Sequence, residues 1–202
     1  MSKYIKTDNN YPGILEMLWY KPATGSKLTA LAHQALLGKS GLTSGERETI
    51  AAYTSALNEC EFCCASHNGA VVCHLQKDIK PNDYLTPEFM AGQTKKMQAL
   101  LALAAQVQKG GRHVTPDVVD AAKKAGASDE DIHDAVLVCA AFCMFNRYVD
   151  GLGTYVSNEA DYKDTGVRLA TKGYKFPPRF LYWLVRRILN KRYAKGSKFA
   201  NN

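Results

Sequence analysis

NECEFCCASHNG, residues 58–69, holds three cysteines and one histidine within twelve residues. Two residues separate Cys60 from Cys63, and His67 follows Cys63 at a spacing of four. If the segment is helical, the two thiols lie about one turn apart and His67 shares a helix face with Cys63. The segment is therefore compatible with a reactive thiol pair, a metal site, a disulfide or a packed core.

The composition of the 202-residue chain is 46% hydrophobic and 22% charged, which is ordinary for a globular domain. The polar start MSKYIKTDNN lacks the apolar centre of a secretion signal, and no apolar run approaches the roughly 20 residues that span a bilayer. We therefore expect a cytoplasmic protein. In such a reducing compartment, neighbouring cysteines favour catalysis or metal binding over structural disulfides.

The charge is divided unevenly along the chain. Residues 163–202 contain eleven Lys and Arg and a single acid, Asp164, whereas residues 1–162 contain 15 basic and 18 acidic residues. The pI near 9.0 therefore reflects the end of the chain, and a nucleic-acid-binding body is not predicted. We predict a helical domain over residues 1–162 and a basic C-terminal extension over residues 163–202.

Apolar residues recur at spacings of three and four along most of the chain, which predicts an all-α fold. No alternation of period two indicates a strand. The predicted helices span residues 28–38, 44–57, 60–74, 93–109, 116–125, 129–156 and 179–193. A long loop is expected over residues 75–87, and YKFPPRF, residues 174–180, resembles a linker.

The cysteine-rich segment has the signals of a helix start. Asn58 is predicted to cap the helix, with Glu61 as the reciprocal partner in a capping box. Cys60 would then lie in the first turn and Cys63 one turn further in, within reach of a somewhat strained disulfide. Backbone N–H groups and the helix dipole favour a thiolate there, and His67 could accept the thiol proton. This arrangement indicates a reactive thiol pair.

Zinc binding is the main alternative for Cys60, Cys63 and His67, but a closed structural site needs four ligands. A fourth ligand could come from Cys64, Cys73 or His74. No second CxxC pair follows at finger-like spacing, and no βαβ pattern supports a thioredoxin-type motif. The cysteines interpreted as packing residues are Cys64, Cys73, Cys139 and Cys143.

Glu46 and Glu48 lie on the predicted helix that precedes the thiols. Two antiparallel helices with a short connection could bring one of these carboxylates beside His67. Such a contact would fix the imidazole tautomer and raise its basicity. The residues alone do not choose between the two, and both could equally be solvated acids at a helix start.

The pattern E-x(11)-C-x(2)-C-x(3)-H, from Glu48 to His67, resembles the alkylhydroperoxidase D core of the carboxymuconolactone decarboxylase-like superfamily. LTSGERETIAAYTSALNECEFCCASH, residues 42–67, is similar to the peroxidase-related branch of that superfamily. GASDEDIHDAVLVCAAFCMFNRYVDGLGT, residues 126–154, resembles a later long helix of the same branch. The resemblance covers about residues 10–160. It implies an all-α helical bundle around the motif helix, and it implies a homo-oligomer.

The resemblance also implies roles for the motif residues. Cys63 resembles the thiol that attacks peroxide, and Cys60 resembles its resolving partner. His67 and Glu48 match a proton relay, which favours Glu48 over Glu46.

Two features depart from the family or add to it. The alkylhydroperoxidase itself has a histidine between its two cysteines, where this chain has Phe62. Cys64, directly after the attacking thiol, could act as an additional reductant or as an off-pathway disulfide partner.

The function implied is that of a thiol-dependent peroxidase, an oxidoreductase that reduces hydroperoxides through the cysteine pair. An external dithiol donor, a lipoyl or thioredoxin-like protein, would restore the thiols. No bound organic cofactor and no metal are expected, and no Gly-rich nucleotide loop is found. The alternatives are a decarboxylase or lactone-processing enzyme of the superfamily, which would not need paired cysteines, and a non-catalytic helical binding protein.

Two further features remain open. Arg147 and Asp150 either pair on a helix surface or close a pocket or an oligomer contact. In PPRFLYWLVRRILNKRYAKGSKF, residues 177–199, an apolar helix side carries Phe180 and Trp183, and the basic residues lie largely away from it. We expect this side to dock on the body or on a neighbouring subunit, with binding to an anionic membrane surface as the alternative.

Overall fold

The computed structural model describes residues 4–154 and 159–193, and within them the chain forms ten α-helices and no strand. The helices are Ile14–Tyr20 (α1), Pro22–Leu37 (α2), Ser44–Leu57 (α3), Glu61–Leu75 (α4), Pro87–Ala91 (α5), Lys95–Lys109 (α6), Pro116–Lys124 (α7), Asp129–Asp150 (α8), Glu159–Lys172 (α9) and Tyr182–Tyr193 (α10). The predicted all-α bundle with a basic C-terminal helix is confirmed.

Most predicted helices agree with the structure to within a few residues, with two larger differences. The first is α2, which begins at Pro22 rather than residue 28 because proline is well suited to the first helical position. The second is α8, which ends at Asp150 rather than residue 156. Gly151 and Gly153 follow it, and Gly153 adopts a φ of 63° that ends the helix. Residues 155 and 156 lie outside the described residues.

Three helices were not predicted from the sequence. Two of them, α1 and α5, have only seven and five residues, too few for a clear periodic pattern. The third, α9, is polar and contains Gly166, which weakens a helical pattern. The predicted loop over residues 75–87 contains only the 3₁₀ turn Pro81–Asp83 before α5 begins at Pro87.

The centre of the bundle is formed by α3 and α4, which pack against each other along their lengths. Helices α6 and α8 cover α3, and α9 covers α4. Side chains that are fully buried between these helices include Ile50, Val71, Leu100, Leu103 and Phe142. In the described part of the chain, α8 alone is long and apolar enough to suit a membrane span, but Val138 and Cys139 are fully buried in the bundle core.

The connection between α3 and α4 differs from the predicted capping box. Asn58 ends α3, and Cys60 is the residue that precedes α4, so Asn58 lies too far back to cap α4. Glu59 turns the chain with a positive φ of 57°. The Asn58 side chain instead donates to Asn146 Oδ1 at 2.8 Å and accepts from Gln108 Nε2 at 3.0 Å. These bonds tie the connection between α3 and α4 to α6 and α8.

Close packing between α4 and α9 depends on a pair of glycines. A Cβ atom added to Gly166 would lie 2.2 Å from the backbone carbon of Gly69, a distance that no side chain can occupy. The predicted division of the chain at residues 162 and 163 falls inside α9. The beginning of the basic extension is therefore part of a helix that packs on the motif helix.

The C-terminal helix α10 contacts the N-terminal part of the chain. Arg186 donates to Asp8 Oδ2 at 2.7 Å and to the Trp19 carbonyl at 3.0 Å, and Tyr11 donates to Asn190 Oδ1 at 2.6 Å. The polar residues of α10 thus make specific contacts with the body that the sequence did not predict. Its apolar side docks only in part: Val185 and Leu189 line a cavity shared with the body. Phe180 and Trp183 are 75% and 67% exposed.

Candidate active site

The packing of α3 against α4 brings Glu48 and His67 together. His67 Nδ1 lies 2.7 Å from Glu48 Oε2, Glu48 is fully buried, and His67 is 8% exposed. Glu46, the alternative carboxylate, lies in the capping box at the start of α3, where it bonds to Thr43. When Nδ1–H donates to Glu48, the Nε2 atom of His67 is left with its lone pair and can accept a proton.

Tyr174 is a third member of this cluster, and it was not predicted from the sequence. Its hydroxyl donates to Glu48 Oε1 at 2.6 Å and lies 3.2 Å from His67 Nδ1. Burial and the nearby Glu48 carboxylate raise the pKa of Tyr174 well above its usual range, so the phenol stays protonated as a donor. Each carboxylate oxygen of Glu48 therefore has a neighbouring donor. Residues 174–180 resemble a linker in sequence, since no local pattern reveals a contact so distant in the chain.

Cys60 is held as a protonated thiol beside Cys63. Hydrogen bonding to Cys63 and burial both raise the pKa of Cys60 above the ordinary thiol value. Its Sγ atom donates to Asp150 Oδ1 at 3.2 Å, and only 1% of the residue is exposed. Both cysteines are free thiols in the structure. A protonated Cys60 is suited to a second, resolving step rather than to the first attack.

Asp150 belongs to the candidate site because it contacts the Cys60 thiol. Asp150 accepts from the thiol, while Arg147 donates to the Cys143 carbonyl at 2.8 Å. No ion pair joins Arg147 to Asp150 in the ranges that the structure covers. Burial raises the pKa of Asp150, and the hydrogen bond from Cys60 acts in the opposite direction.

Cys63 and His67 share the wall of one cavity of about 310 Å³. Cys60 is not among the residues that line this cavity, although it neighbours Cys63. A molecule in the cavity would therefore meet the Cys63 sulfur and the His67 ring, while Cys60 would remain behind them.

Aromatic and aliphatic side chains form most of the cavity wall. Phe62, which lies between the two cysteines in the chain, packs edge-to-face against Tyr162 with a centroid distance of 5.8 Å. Phe142 packs edge-to-face against His67 at 4.5 Å. Further lining residues come from both ends of the chain and include Leu15, Trp19, Phe176, Val185, Ile188 and Leu189. The cavity is thus suited to an apolar molecule.

Two of the remaining cysteines have opposite properties. Burial raises the pKa of Cys64 to about 12, and its Sγ lies 3.7 Å from the Pro81 carbonyl, so Cys64 is a packing residue. Cys143 is half-buried, and Asn58 Nδ2 donates to its sulfur at 3.6 Å. Hydrogen bonds from Cys139, Asn58 and Arg147 lower the pKa of Cys143 to about 6. Cys143 packs against the hydrophobic core, as expected, and combines this packing with a lowered pKa.

A metal site has no geometric support in the described ranges, residues 4–154 and 159–193. They contain no group of three His, Cys, Asp or Glu side chains placed to hold one ion. The imidazole Nδ1 atom, a possible ligand atom, is bonded to Glu48 instead.

Solved structures show that this all-α bundle, with a CxxC motif at the start of a central helix, has an alkylhydroperoxidase D-like fold. The chain is similar to an alkylhydroperoxidase AhpD core structure, that of an uncharacterized peroxidase-related protein from Ralstonia eutropha JMP134. The TM-score is 0.69 and the identity 26%, over 77% of this chain and 81% of that chain. The sequence resemblance to the peroxidase-related branch of the superfamily is thereby confirmed.

Two more distant structures share the fold. An uncharacterized peroxidase-related protein from Silicibacter sp. TM1040 matches with a TM-score of 0.68 and 24% identity, over 75% of this chain and 78% of that chain. A protein of unknown function from Agrobacterium tumefaciens matches with a TM-score of 0.63 and 20% identity, over 73% of this chain and 99% of that chain. No protein-family model and no curated protein matches the chain.

Proposed function

We propose that the protein is a thiol-dependent peroxidase that reduces hydroperoxides with the Cys60/Cys63 pair and the Glu48–His67 relay. The observation that supports this function best is that Cys63 and His67 line the same apolar cavity while Glu48 holds the imidazole from behind. The names of two structural neighbours, which describe peroxidase-related proteins, point to the same class of oxidoreductase.

The first step joins Cys63 to the peroxide. The thiol proton moves to His67 Nε2, and the Cys63 thiolate attacks the terminal peroxide oxygen. An S–O bond forms and the O–O bond breaks, which leaves Cys63 as a sulfenic acid. The imidazolium returns its proton to the departing alkoxide, which leaves as an alcohol. Glu48 stabilises the imidazolium that exists between these two transfers.

The second step uses Cys60. Its sulfur attacks the sulfenic acid of Cys63, an S–S bond forms, and the hydroxyl group leaves as water with the Cys60 proton. Cys60 and Cys63 pack in one small buried cluster with Val149, so the two partners of this step are already neighbours. An external dithiol then reduces the disulfide by exchange, and a lipoyl or thioredoxin-like protein is the class of donor we propose. A homo-oligomeric state and a cytoplasmic location remain predictions.

The function can be tested by counting thiols in the reduced protein before and after one equivalent of an organic hydroperoxide. We expect the loss of two thiols per chain and a Cys60–Cys63 disulfide in the peptide map. Cys64→Ser is a matched control, because its buried thiol should not take part. If hydroperoxide left the thiol count unchanged, the superfamily's decarboxylase or lactone-processing activities, or a binding role, would be favoured instead.

A further inference from the structure

The outer side of the C-terminal helix carries an exposed stripe that is both apolar and basic. Five of its residues lie one, three or four positions apart on α10, and the sixth, Phe180, lies in the 3₁₀ turn just before the helix. They are Phe180, Trp183, Leu184, Arg187, Ile188 and Lys191, which we call the outer face. Three of its apolar members, Phe180, Trp183 and Ile188, are 75%, 67% and 57% exposed. Large exposed apolar side chains at helical spacing mark an interaction surface. We infer that the outer face binds an anionic membrane surface.

The opposite side of α10 contacts the body and fixes the orientation of the helix. The outer face is therefore directed toward solvent. Arg186 and Asn190 hydrogen bond to Asp8 and Tyr11, and the Tyr182 ring packs against Trp19 with a centroid distance of 5.6 Å. Arg186 therefore docks the helix on the body while Arg187, one residue later, points away from it. Because one side of α10 contacts the body and the other is exposed, the helix can bind lipid while it stays packed on the body.

The positive charge of this part of the chain favours an anionic partner. Residues 165–193 contain eight Lys and Arg and no acidic residue. Arg187 and Lys191 are exposed and form no ion pair within the part of the chain that is described, so both are available to phosphate groups. Trp and Phe beside basic residues are typical of helices that lie in the interface of anionic bilayers. A second copy is a poorer fit, because a two-fold contact of this face would bring the Arg187 and Lys191 charges of both copies into one patch that holds no acidic residue to pair with them.

The same helix also closes the candidate active-site cavity. Val185 and Leu189 line the cavity from the inner side of α10, and Ile188 belongs both to the cavity wall and to the outer face. A bilayer bound to the outer face would therefore lie one helix away from Cys63. If the proposed function holds, this position would suit hydroperoxides of membrane acyl chains.

Binding can be tested with the full chain and vesicles, without reference to activity. We expect co-sedimentation with vesicles of phosphatidylcholine and phosphatidylglycerol, little with phosphatidylcholine alone, and loss of binding in high salt. Arg187→Glu/Lys191→Glu should weaken binding by about tenfold or more. Lys77→Glu/Lys124→Glu is the matched control: it makes the same charge change at exposed lysines elsewhere and should bind nearly normally.

A second measurement separates lipid contact from contact between copies. Trp19 is 2% exposed, so brominated lipids that quench tryptophan fluorescence would report on Trp183. Quenching in anionic vesicles, abolished by Phe180→Ser/Leu184→Ser, which keeps Trp183 as the reporter, would support the proposal. Absence of vesicle binding would overturn it. It would also be overturned if the double variant changed the sedimentation coefficient of the lipid-free protein while vesicle binding stayed the same, since the face would then join two copies.

Discussion

Tyr174 donates a 2.6 Å hydrogen bond to Glu48, a residue 126 positions earlier in the chain. The contact joins the basic C-terminal part to the buried carboxylate that holds His67. It means that the candidate relay has three members, carboxylate, imidazole and phenol, and that they come from three separate segments. The C-terminal part is thus involved in the site and is not only an appendage.

The Tyr174→Phe variant should lower kcat/KM for hydroperoxide by about tenfold, the kinetic equivalent of one hydrogen bond to a charged group. Removal of the hydroxyl leaves Glu48 Oε1 without its donor, so the imidazole is held less firmly. Tyr182→Phe makes the same chemical change on the same segment, but its ring packs on Trp19, away from the relay. Equal losses in the two variants would show that the relay does not depend on Tyr174. Steady-state kinetics provide the measurement.

The cysteine roles predict two different defects. Cys63→Ser should abolish peroxide consumption because the attacking sulfur is gone. Cys60→Ser should consume one equivalent and stop with Cys63 as a sulfenic acid, which a dimedone adduct would reveal in the mass spectrum. Normal turnover by the Cys63 variant would contradict the assignment.

Substitutions of His67, Glu48 and Glu46 should reduce the rate of peroxide reduction to different extents. His67→Ala should slow peroxide reduction by about 10²–10⁴-fold near neutral pH, as is usual for the loss of a general base. Part of the rate should return at higher pH, where the thiol ionises without help. Glu48→Gln should be impaired more mildly. Glu46→Gln is the control, since Glu46 caps α3 and its amide replacement can still accept from Thr43. Greater damage from the Glu46 change would mean that the wrong carboxylate has been chosen.

Cys143 should react with iodoacetamide much faster than Cys64 near neutral pH. Its pKa of about 6 lies below the ordinary value, so the thiolate fraction rises as pH increases through 6 and is nearly complete by about pH 8. Cys64, with a pKa of about 12, should remain unlabelled over this range. Peptide mass spectrometry of labelling rates would measure both sites. Asn58→Ala removes one donor and should shift the Cys143 midpoint upward; an unshifted midpoint would contradict the hydrogen-bond explanation.

The contact between α4 and α9 should tolerate no added methyl group. Gly166→Ala is expected to reduce the free energy of unfolding by about 1–3 kcal/mol, as overpacking usually does. It should also reduce peroxidase activity, since the shift of α9 would carry Tyr174 away from Glu48. Gly111→Ala is a suitable control because its added Cβ would meet no atom within 4 Å. Urea denaturation of both variants would show whether the loss is confined to Gly166.

The sequence predicted best what depends on local spacing. The helices around the cysteines follow from periodicity, and the approach of a carboxylate to His67 follows from two neighbouring helices with a short connection. The choice of Glu48 over Glu46 came from the family resemblance. It did not predict Tyr174, the bond from Cys60 to Asp150, or the replacement of the capping box by a contact between Asn58 and Asn146. These contacts join residues about 90 to 126 positions apart. Helical periodicity carries no information about such partners, since it reports which face is buried and not what covers it.

The glycine pair of α4 and α9 also has a consequence for the newly made chain. Gly69 leaves the ribosome roughly 100 residues before Gly166, a delay of about 5–20 s at ordinary rates of synthesis. During this time the flank of α4 that α9 will cover remains bare, beside two thiols that are buried in the finished protein. Oxidants and chaperones can reach the nascent cysteines in that interval. Cys60 and Cys63 are therefore most exposed to oxidation before the finished protein can use them.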